Sequence, residues 1–351
     1  MADRIAILTG GGDCPGLNAV IRAIVRKSVG VYNYKIVGLI GGWRGLLDMN
    51  YEILDREKIR GIIHRGGTII KTSRTNLLKE PDGVKLAMEN YSKLNLKGLI
   101  AIGGEDTLGV ASKLSEQGLS IVGVPKTIDN DLEGTDYTFG YDTAINIAME
   151  AIDRVHTTAE SHNRVMVVEV MGRHTGWIAL GAGIAGGADV ILIPEKPFDI
   201  EKICELIRER HEHGRDFSIV VVAEGARLLA GSDSNIDNKL ILQDVEKDEF
   251  GHVRLGGIGN VLAKEIERRT GFETRMVILG HIQRGGSPTA FDRVLATRFG
   301  VAAIDLVHNG EFGKMVALRG ANIISIPISE AVHKLKTVTE DLYQVAEVFF
   351  G

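Results

Sequence analysis

At least six short apolar runs in this chain end in a loop that combines glycine with ionisable residues, and that arrangement leaves few folds open. Ile5 to Leu8 runs into Gly10-Gly11-Gly12-Asp13, Tyr34 to Ile40 into Gly41-Gly42, and Lys97 to Ile102 into Gly103-Gly104-Glu105-Asp106. Leu119 to Val124 precedes Pro125-Lys126-Thr127-Ile128-Asp129-Asn130-Asp131, and Val165 to Val170 precedes Met171-Gly172-Arg173-His174. Ser218 to Ala223 ends in Glu224-Gly225, and Met276 to Leu279 in Gly280-His281-Ile282-Gln283-Arg284. Continuously apolar runs of this length suit strands buried on both faces, as parallel sheets require. Helical patterns lie at Leu17 to Lys27, Asp142 to Glu160, Ile200 to His213, Gly257 to Thr270 and Ala290 to Val307. The alternation predicts an α/β fold with doubly wound, mainly parallel sheets. In such sheets ligands bind beyond the C-terminal strand ends, which is where the charged loops fall.

At 351 residues the chain is longer than one hydrophobic core usually grows, which predicts two domains. Its 44% hydrophobic and 25% charged content is that of a soluble globular protein. A net charge of −5 provides no basic field for nucleic acid, so no nucleic-acid partner is expected. There is no uncharged run of about eighteen apolar residues, so no membrane span is expected either. The apolar run after Met1-Ala2-Asp3-Arg4 is too short for a secretory signal. The two cysteines, Cys14 and Cys204, lack metal or disulfide spacing and fit a reducing, cytoplasmic compartment. Residues 228–256 interrupt the alternation with polar, turn-rich sequence and read as a surface insertion that a hairpin would suit.

The loop chemistry points to phosphate. Paired glycines at Gly103-Gly104 let backbone N–H groups approach an anion, and a helix beginning near Thr107 would add the positive end of its dipole. Glu105 and Asp106 in the same loop would repel a phosphate unless a hard cation such as Mg2+ lay between them. Asp129 and Asp131, two carboxylates at i and i+2, leave another strand end together with Thr127 and Lys126. Phosphoryl transfer is therefore the first hypothesis. Neither standard nucleotide motif is present: the dinucleotide pattern counted from Gly10 meets Pro15 at its third glycine. Gly313-Lys314 is followed by Met315, with His308 where a P-loop opens on glycine. Arg65-Gly66-Gly67-Thr68 and Lys71-Thr72-Ser73-Arg74 suit a phosphate clamp or a solvated loop equally well. Arg154, His156 and His162 read as surface or internally satisfied side chains.

Six blocks in order, GGGDCPGLNA from Gly10, GGED-T from Gly103, PKTIDND from Pro125, VMGRHTG from Val170, EG from Glu224 and LGHIQRGGSP from Leu279, resemble the short bacterial type of the phosphofructokinase family over almost the whole chain. The resemblance implies two Rossmann-like domains: a phosphoryl-donor domain of residues 1–140 and 283–331, and a sugar-phosphate domain of 141–282 and 332–351. It implies phosphorylation of the 1-hydroxyl of fructose 6-phosphate. In that scheme Asp129 takes the hydroxyl proton, Thr127 bonds the transferred group, and Asp131 orients the loop. Glu105 is the magnesium-linked acid, and Arg173 and Arg74 stabilise charge on the phosphoryl oxygens. Gly11, Gly12, Arg74, Gly104, Asp106 and Lys126 hold the donor. Thr127, Asp129 and Asp131 face the sugar, which Met171, Gly172, Arg173, Glu224, His281 and Arg284 bind. Arg164 and Arg275 reach it from a neighbouring subunit, which implies a homodimer or homotetramer with shared active sites.

Within the resemblance, two positions separate the donors. ATP-using relatives carry glycine where this chain has Asp106 and Lys126, and pyrophosphate users carry Asp and Lys. A like-charge contact near 4 Å costs about 4 kcal/mol at an effective dielectric of about 20, roughly a thousandfold in affinity. Asp106 is thus expected to exclude the α-phosphate of ATP and Lys126 to neutralise pyrophosphate, with a local ion pair between the two as the alternative. The expected activity is a reversible, Mg2+-dependent pyrophosphate:fructose-6-phosphate 1-phosphotransferase. Little allosteric control is expected, because His156 stands at an effector-binding arginine position although Arg22 and Arg26 are present. An ATP-dependent 6-phosphofructokinase is the alternative. A catalytically silent sugar-phosphate sensor is remote, since it would have no use for Asp129 as a base.

Overall fold

The computed structural model describes residues 2–229, 242–247, 253–255 and 257–351, the two short central segments as backbone alone. In chain order its elements are β1 (Arg4–Thr9), α1 (Leu17–Lys27), β2 (Lys35–Leu39), α2 (Trp43–Leu47), β3 (Tyr51–Leu54), α3 (Gly83–Lys93), β4 (Leu96–Gly103), α4 (Glu105–Glu116), β5 (Ile121–Thr127) and β6 (Phe139–Gly140). There follow α5 (Tyr141–His162), β7 (Val165–Val170), α6 (Trp177–Ala185), β8 (Val190–Leu192), α7 (Ile200–Glu212), β9 (Ser218–Ala223), β10 (Leu242–Lys247), β11 (Val253–Leu255), α8 (Ile258–Thr270) and β12 (Thr274–Ile278). The chain closes with α9 (Ala290–Asn309), β13 (Lys314–Arg319), β14 (Asn322–Pro327), α10 (Ile328–Ala331) and α11 (Glu340–Glu347). Two compact units result. The first comprises the described residues of Met1–Thr143 and Arg284–Leu335, the second those of Ala144–Lys247, Val253–Gln283 and Lys336–Gly351.

The first unit is built on a sheet ordered β14-β13-β5-β4-β1-β2-β3, with β6 paired to the end of β5. Strands from β13 through β2 run parallel, and β14 and β3 are antiparallel edges. Ile5, Ala6, Ile7 and Leu8 are all fully buried, as are Leu99 to Ile102, so the central strands meet packed side chains on both faces. Each such Leu or Ile contributes roughly 1.5–3 kcal/mol. On one face α1 and α9 pack closely, because a Cβ on Gly300 would fall 2.7 Å from the Val20 carbonyl oxygen. The chain lays β2 and β3 on one side of β1, then crosses to the other side for β4 and β5. The strand order therefore reverses between β1 and β4, and a ligand crevice is expected beyond Thr9 and Gly103.

The second unit carries a smaller sheet, β12-β7-β9-β8, parallel throughout. Val165, Val167, Val220 and Val222 pack with Ile203, Ile207, Leu262 and Ile266 of the covering helices. Here the order reverses between β7 and β12, so the loops after Val170 and Ile278 lie at the switch point.

Two expectations shift and a third is met in part. β5 continues beyond Val124 to Thr127, so Lys126 is a strand residue only 3% exposed and not part of a loop. α4 begins at Glu105, ahead of Thr107, because two carboxylates in a first turn complement the helix dipole. Within residues 228–256, β10 and β11 pair antiparallel as a hairpin would, while 230–241, 248–252 and 256 lie outside the described residues. No described helix is long and apolar enough to cross a membrane.

Candidate active site

In the first unit four segments meet at the β1/β4 switch point. The Gly10 amide donates to the Ile102 carbonyl at 3.0 Å and the Gly11 amide to the Ser73 carbonyl at 3.0 Å. Thr72 Oγ1 donates to the Gly11 carbonyl at 2.7 Å, and Thr9 Oγ1 to the Lys71 carbonyl at 2.7 Å. The segment bearing Arg74 is thus stitched to the glycine loop after β1. Asn18 holds the preceding turn: its Nδ2 donates to the Arg65 and Gly66 carbonyls, and its Oδ1 accepts from the Ile69 amide at 2.9 Å. Thr107, buried in the first turns of α4, sits between both glycine loops. A Cβ on Gly10 would lie 2.5 Å from its Oγ1, and one on Gly103 would lie 2.3 Å from its Cβ. Neither glycine has room for a side chain.

The turn after β5 is fixed as firmly. The Asp129 amide donates to Thr127 Oγ1 at 3.1 Å, and that hydroxyl faces Asp129 Oδ2 at 3.5 Å. Asn130 takes φ 52°, a left-handed conformation that asparagine tolerates better than most residues. Its buried Oδ1 accepts from the Thr138 amide at 3.1 Å, while Thr138 Oγ1 donates to the Thr127 carbonyl at 2.7 Å. Asp129 and Asp131 remain half-buried at the ends of this rigid turn.

Lys126 extends from β5 toward the first glycine loop, where its ammonium donates to the Gly12 carbonyl. It lies 3.7 Å from where a Gly11 Cβ would be. Burial lowers its pKa and the nearby Arg284 lowers it further, against Cys14, Asp13 and Asp129, which raise it. Arg284 rests on the same loop: a Cβ on Gly12 would strike its guanidinium at 2.1 Å, and its Nη1 is 3.4 Å from the Asp13 carbonyl. Two cations thus flank the Gly12-Asp13 peptide, and Arg284, which the resemblance groups with sugar-binding residues, stands against the glycine loop after β1 in its own unit. Burial also pushes the Cys14 thiol up to about 12, which leaves it neutral and no candidate nucleophile. Glu105 is exposed and Asp106 half-buried at the N-terminus of α4.

The second unit gathers its own set. The Glu224 amide donates to the Val170 carbonyl at 2.9 Å and the Gly225 amide to the Gly172 carbonyl at 3.0 Å, so the loops after β7 and β9 touch. Gln283 Oε1 accepts from the Met171 amide at 3.3 Å, which joins the loop after β12. Met171, Gly172, Arg173 and Glu224 are therefore neighbours, with His281 exposed on the adjoining turn. Arg164 and Arg275 are not with them. They lie at the N-terminal ends of β7 and β12, the opposite sheet edge, where Arg164 meets Glu273 at 2.8 Å and Arg275 meets it at 2.5 Å. A six-residue strand places about 20 Å between the two edges.

Sequence reasoning missed Asn18, Thr107, Asn130 and Thr138, which shape the loops without ionisable groups. It also missed the buried Asp292 of α9. That carboxylate accepts from the Thr143 amide at 2.8 Å and from its hydroxyl at 2.5 Å, and burial raises its pKa to about 6.

The phosphofructokinase family pattern matches residues 4–307. The chain belongs to the phosphofructokinase family. It is 58% identical over 349 residues, 99% of this chain and 100% of the relative, to the pyrophosphate–fructose 6-phosphate 1-phosphotransferase of Streptomyces coelicolor. It is 52% identical over 344 residues, 98% of this chain and 99% of the relative, to ATP-dependent 6-phosphofructokinase 3 of the same organism. Among solved structures, the phosphofructokinase of Pichia pastoris in the T-state superposes with a TM-score of 0.82 at 32% identity, over 99% of this chain and 36% of that longer one. Phosphofructokinases named for both donor types are thus similar to this one over nearly its full length.

Proposed function

We propose that this phosphofructokinase transfers a phosphoryl group reversibly between pyrophosphate and the 1-hydroxyl of fructose 6-phosphate, with the first unit taking the donor and the second the sugar phosphate. The observation that carries the donor assignment is the placement of two charges at one switch point. Asp106 adds a negative charge to the first turn of α4, where glycine would leave room for an adenylate, and Lys126 brings a buried cation to Gly12. The pairing of Lys126 with the Gly12 carbonyl directs its ammonium into the glycine loop, where a diphosphate would lie. The pyrophosphate-named relative at 58% identity supports the same reading.

Asp129 takes the proton of the sugar hydroxyl as the bond to phosphorus forms, held for this by its own amide on Thr127. Thr127 Oγ1 lies beside it to hydrogen-bond the transferred group, and Asp131 holds the far end of the turn. Gly11, Gly12 and Gly104 offer backbone N–H groups to the phosphates, and Arg74 and Arg173 supply charge for the phosphoryl oxygens. Met171, Gly172, Glu224 and His281 bind the sugar phosphate. Arg284 belongs to both sets, placed on the donor loop in a position to hold the phosphate that leaves. An oxygen-only donor set suits Mg2+, and the exposed carboxylate of Glu105 beside a glycine loop fits that requirement. Bound there through Glu105, the ion would neutralise charge on the pyrophosphate oxygens.

Arg164 and Arg275 would serve the sugar 6-phosphate of a neighbouring copy, since their own unit places them at the wrong edge of the sheet. A homodimer or homotetramer follows, with nucleic acid and membrane absent from the partners and the cytoplasm as compartment. His156 Nε2 donates to the Gly186 carbonyl and the ring packs edge-on against Phe217, an internal role that fits weak effector control. The test is a donor comparison with fructose 6-phosphate and Mg2+, pyrophosphate against ATP at equal concentration. Turnover is expected with pyrophosphate, and a faster rate with ATP would overturn the donor assignment.

A further inference from the structure

Glu195, just beyond β8, has one oxygen shared between two distant segments of the second unit. Its Oε1 accepts from the Gly176 amide at 3.0 Å and from the Val338 amide at 3.0 Å. Gly176 closes the Met171–Thr175 loop and precedes α6, and Val338 belongs to the stretch that leads into α11. A carboxylate at that point satisfies amides left open by the start of a helix and complements its dipole.

The same C-terminal stretch is fastened around this point by other groups. Trp177 Nε1 donates to the Lys336 carbonyl at 2.8 Å, and the Lys336 ammonium lies 5.3 Å from the centre of the Trp177 ring. Lys196, next to Glu195, pairs with Glu340 at 3.3 Å and Glu347 at 2.7 Å. The hydroxyl of Tyr343 donates to the Ile191 carbonyl in β8 at 2.8 Å. The loop itself has little slack. A Cβ on Gly176 would lie 2.3 Å from Ile193 Cβ and 3.1 Å from Glu195 Oε2, and one on Gly172, at φ 143°, would lie 2.7 Å from the Thr175 carbonyl oxygen.

We propose that Glu195 is a positioning residue for the Met171–Thr175 loop, and that residues 336–351 act as a strap holding that loop in register through Glu195 and Trp177. The role in catalysis rests on the assignment of Met171, Gly172 and Arg173 to the sugar phosphate. The strap orders loop backbone before substrate arrives, so its loss raises the cost of binding the sugar and leaves donor binding alone.

The test uses the full-length protein with Glu195→Ala and Glu195→Gln. Glutamine keeps a carbonyl oxygen that can accept from both amides, so Glu195→Gln should stay within about twofold of wild type. Glu195→Ala should raise KM for fructose 6-phosphate about tenfold, with KM for pyrophosphate unchanged. In the ligand-free protein, amide hydrogen exchange across residues 171–177 should quicken in Glu195→Ala and stay at the wild-type rate across 103–107. Equal rises in both KM values, a lower melting temperature without a KM split, or unaltered exchange at 171–177 would each overturn the strap. If Glu195→Ala does not fold, Glu195→Asp, too short to serve both amides, is read by the same criteria. Wild-type protein inactive on fructose 6-phosphate with either donor would instead overturn the proposed function, and the exchange comparison would still decide the strap.

Discussion

In the first unit the cations nearest the glycine loops are held by the chain that carries them: Lys126 is buried on the Gly12 carbonyl and Arg284 lies over the same peptide. In the second, the loops after β7, β9 and β12 converge through hydrogen bonds, yet Arg164 and Arg275 lie at the far edge of the sheet, paired with the half-buried Glu273. The contrast follows from what each kind of charge costs. A buried ammonium is expensive to place and must be preorganised, whereas surface guanidinium pairs cost little and exchange partners readily. Under the proposed function, a donor site built on internal charge would be complete in one copy, and a sugar-phosphate site that calls on Arg164 and Arg275 would need a second.

The largest test of this contrast removes the base. Asp129→Asn should lower kcat by about 10²–10⁴-fold with little change in KM for fructose 6-phosphate. Retention of more than a tenth of the wild-type rate would break the assignment of Asp129 to the first unit's chemistry. Next is donor choice: Asp106→Gly should raise kcat/KM for ATP by at most about a thousandfold, and by less where solvent screens this half-buried carboxylate. Unchanged discrimination in parallel assays would mean that Asp106 does not exclude the nucleotide.

A smaller effect concerns stability. The Asp292 carboxyl sits at about 6 in the folded protein against an ordinary 3.8, raised by burial. Between those values the folded chain holds a proton that the unfolded chain has lost, so stability falls as pH rises from about 4 to about 6 and is level above. Asp292→Asn should therefore stabilise the protein at pH 7 by on the order of 2 kcal/mol, and the gain should fade below pH 4. Denaturant titrations at pH 4 and 7 check the sign. Arg275→Ala should have the least effect on folding, with an unchanged melting temperature because its ion pair is exposed. Its sugar kinetics should nevertheless suffer, and refolding it together with Asp129→Asn should restore activity that neither variant has alone. Failure to complement would place Arg275 outside a shared site.

Much of this was legible in the sequence. The bounds of α1, β7 and β9 follow from apolar runs that start and stop sharply at glycine or charge. The loops stood out because glycine beside carboxylates and cations has no place in a core. α6 escaped notice because its residues are apolar on nearly every side and show no helical period. β13 and β14 were missed because a short antiparallel pair near the end of an α/β pattern offers no distinct signal. Strand order is absent from any local pattern, so the two switch points emerged only from the fold. Thr107 and Asn130 shape the site through size and backbone angle, properties that a search for ionisable groups does not weigh.

The wedge formed by Thr107 ties three codons together. With its side chain filling the space above Gly10 and Gly103, a substitution at either glycine is blocked until residue 107 shrinks, and a larger residue 107 has nowhere to go. Drift at these positions must therefore be concerted, so a laboratory evolution campaign that samples them singly will read each as immutable when the constraint belongs to the trio.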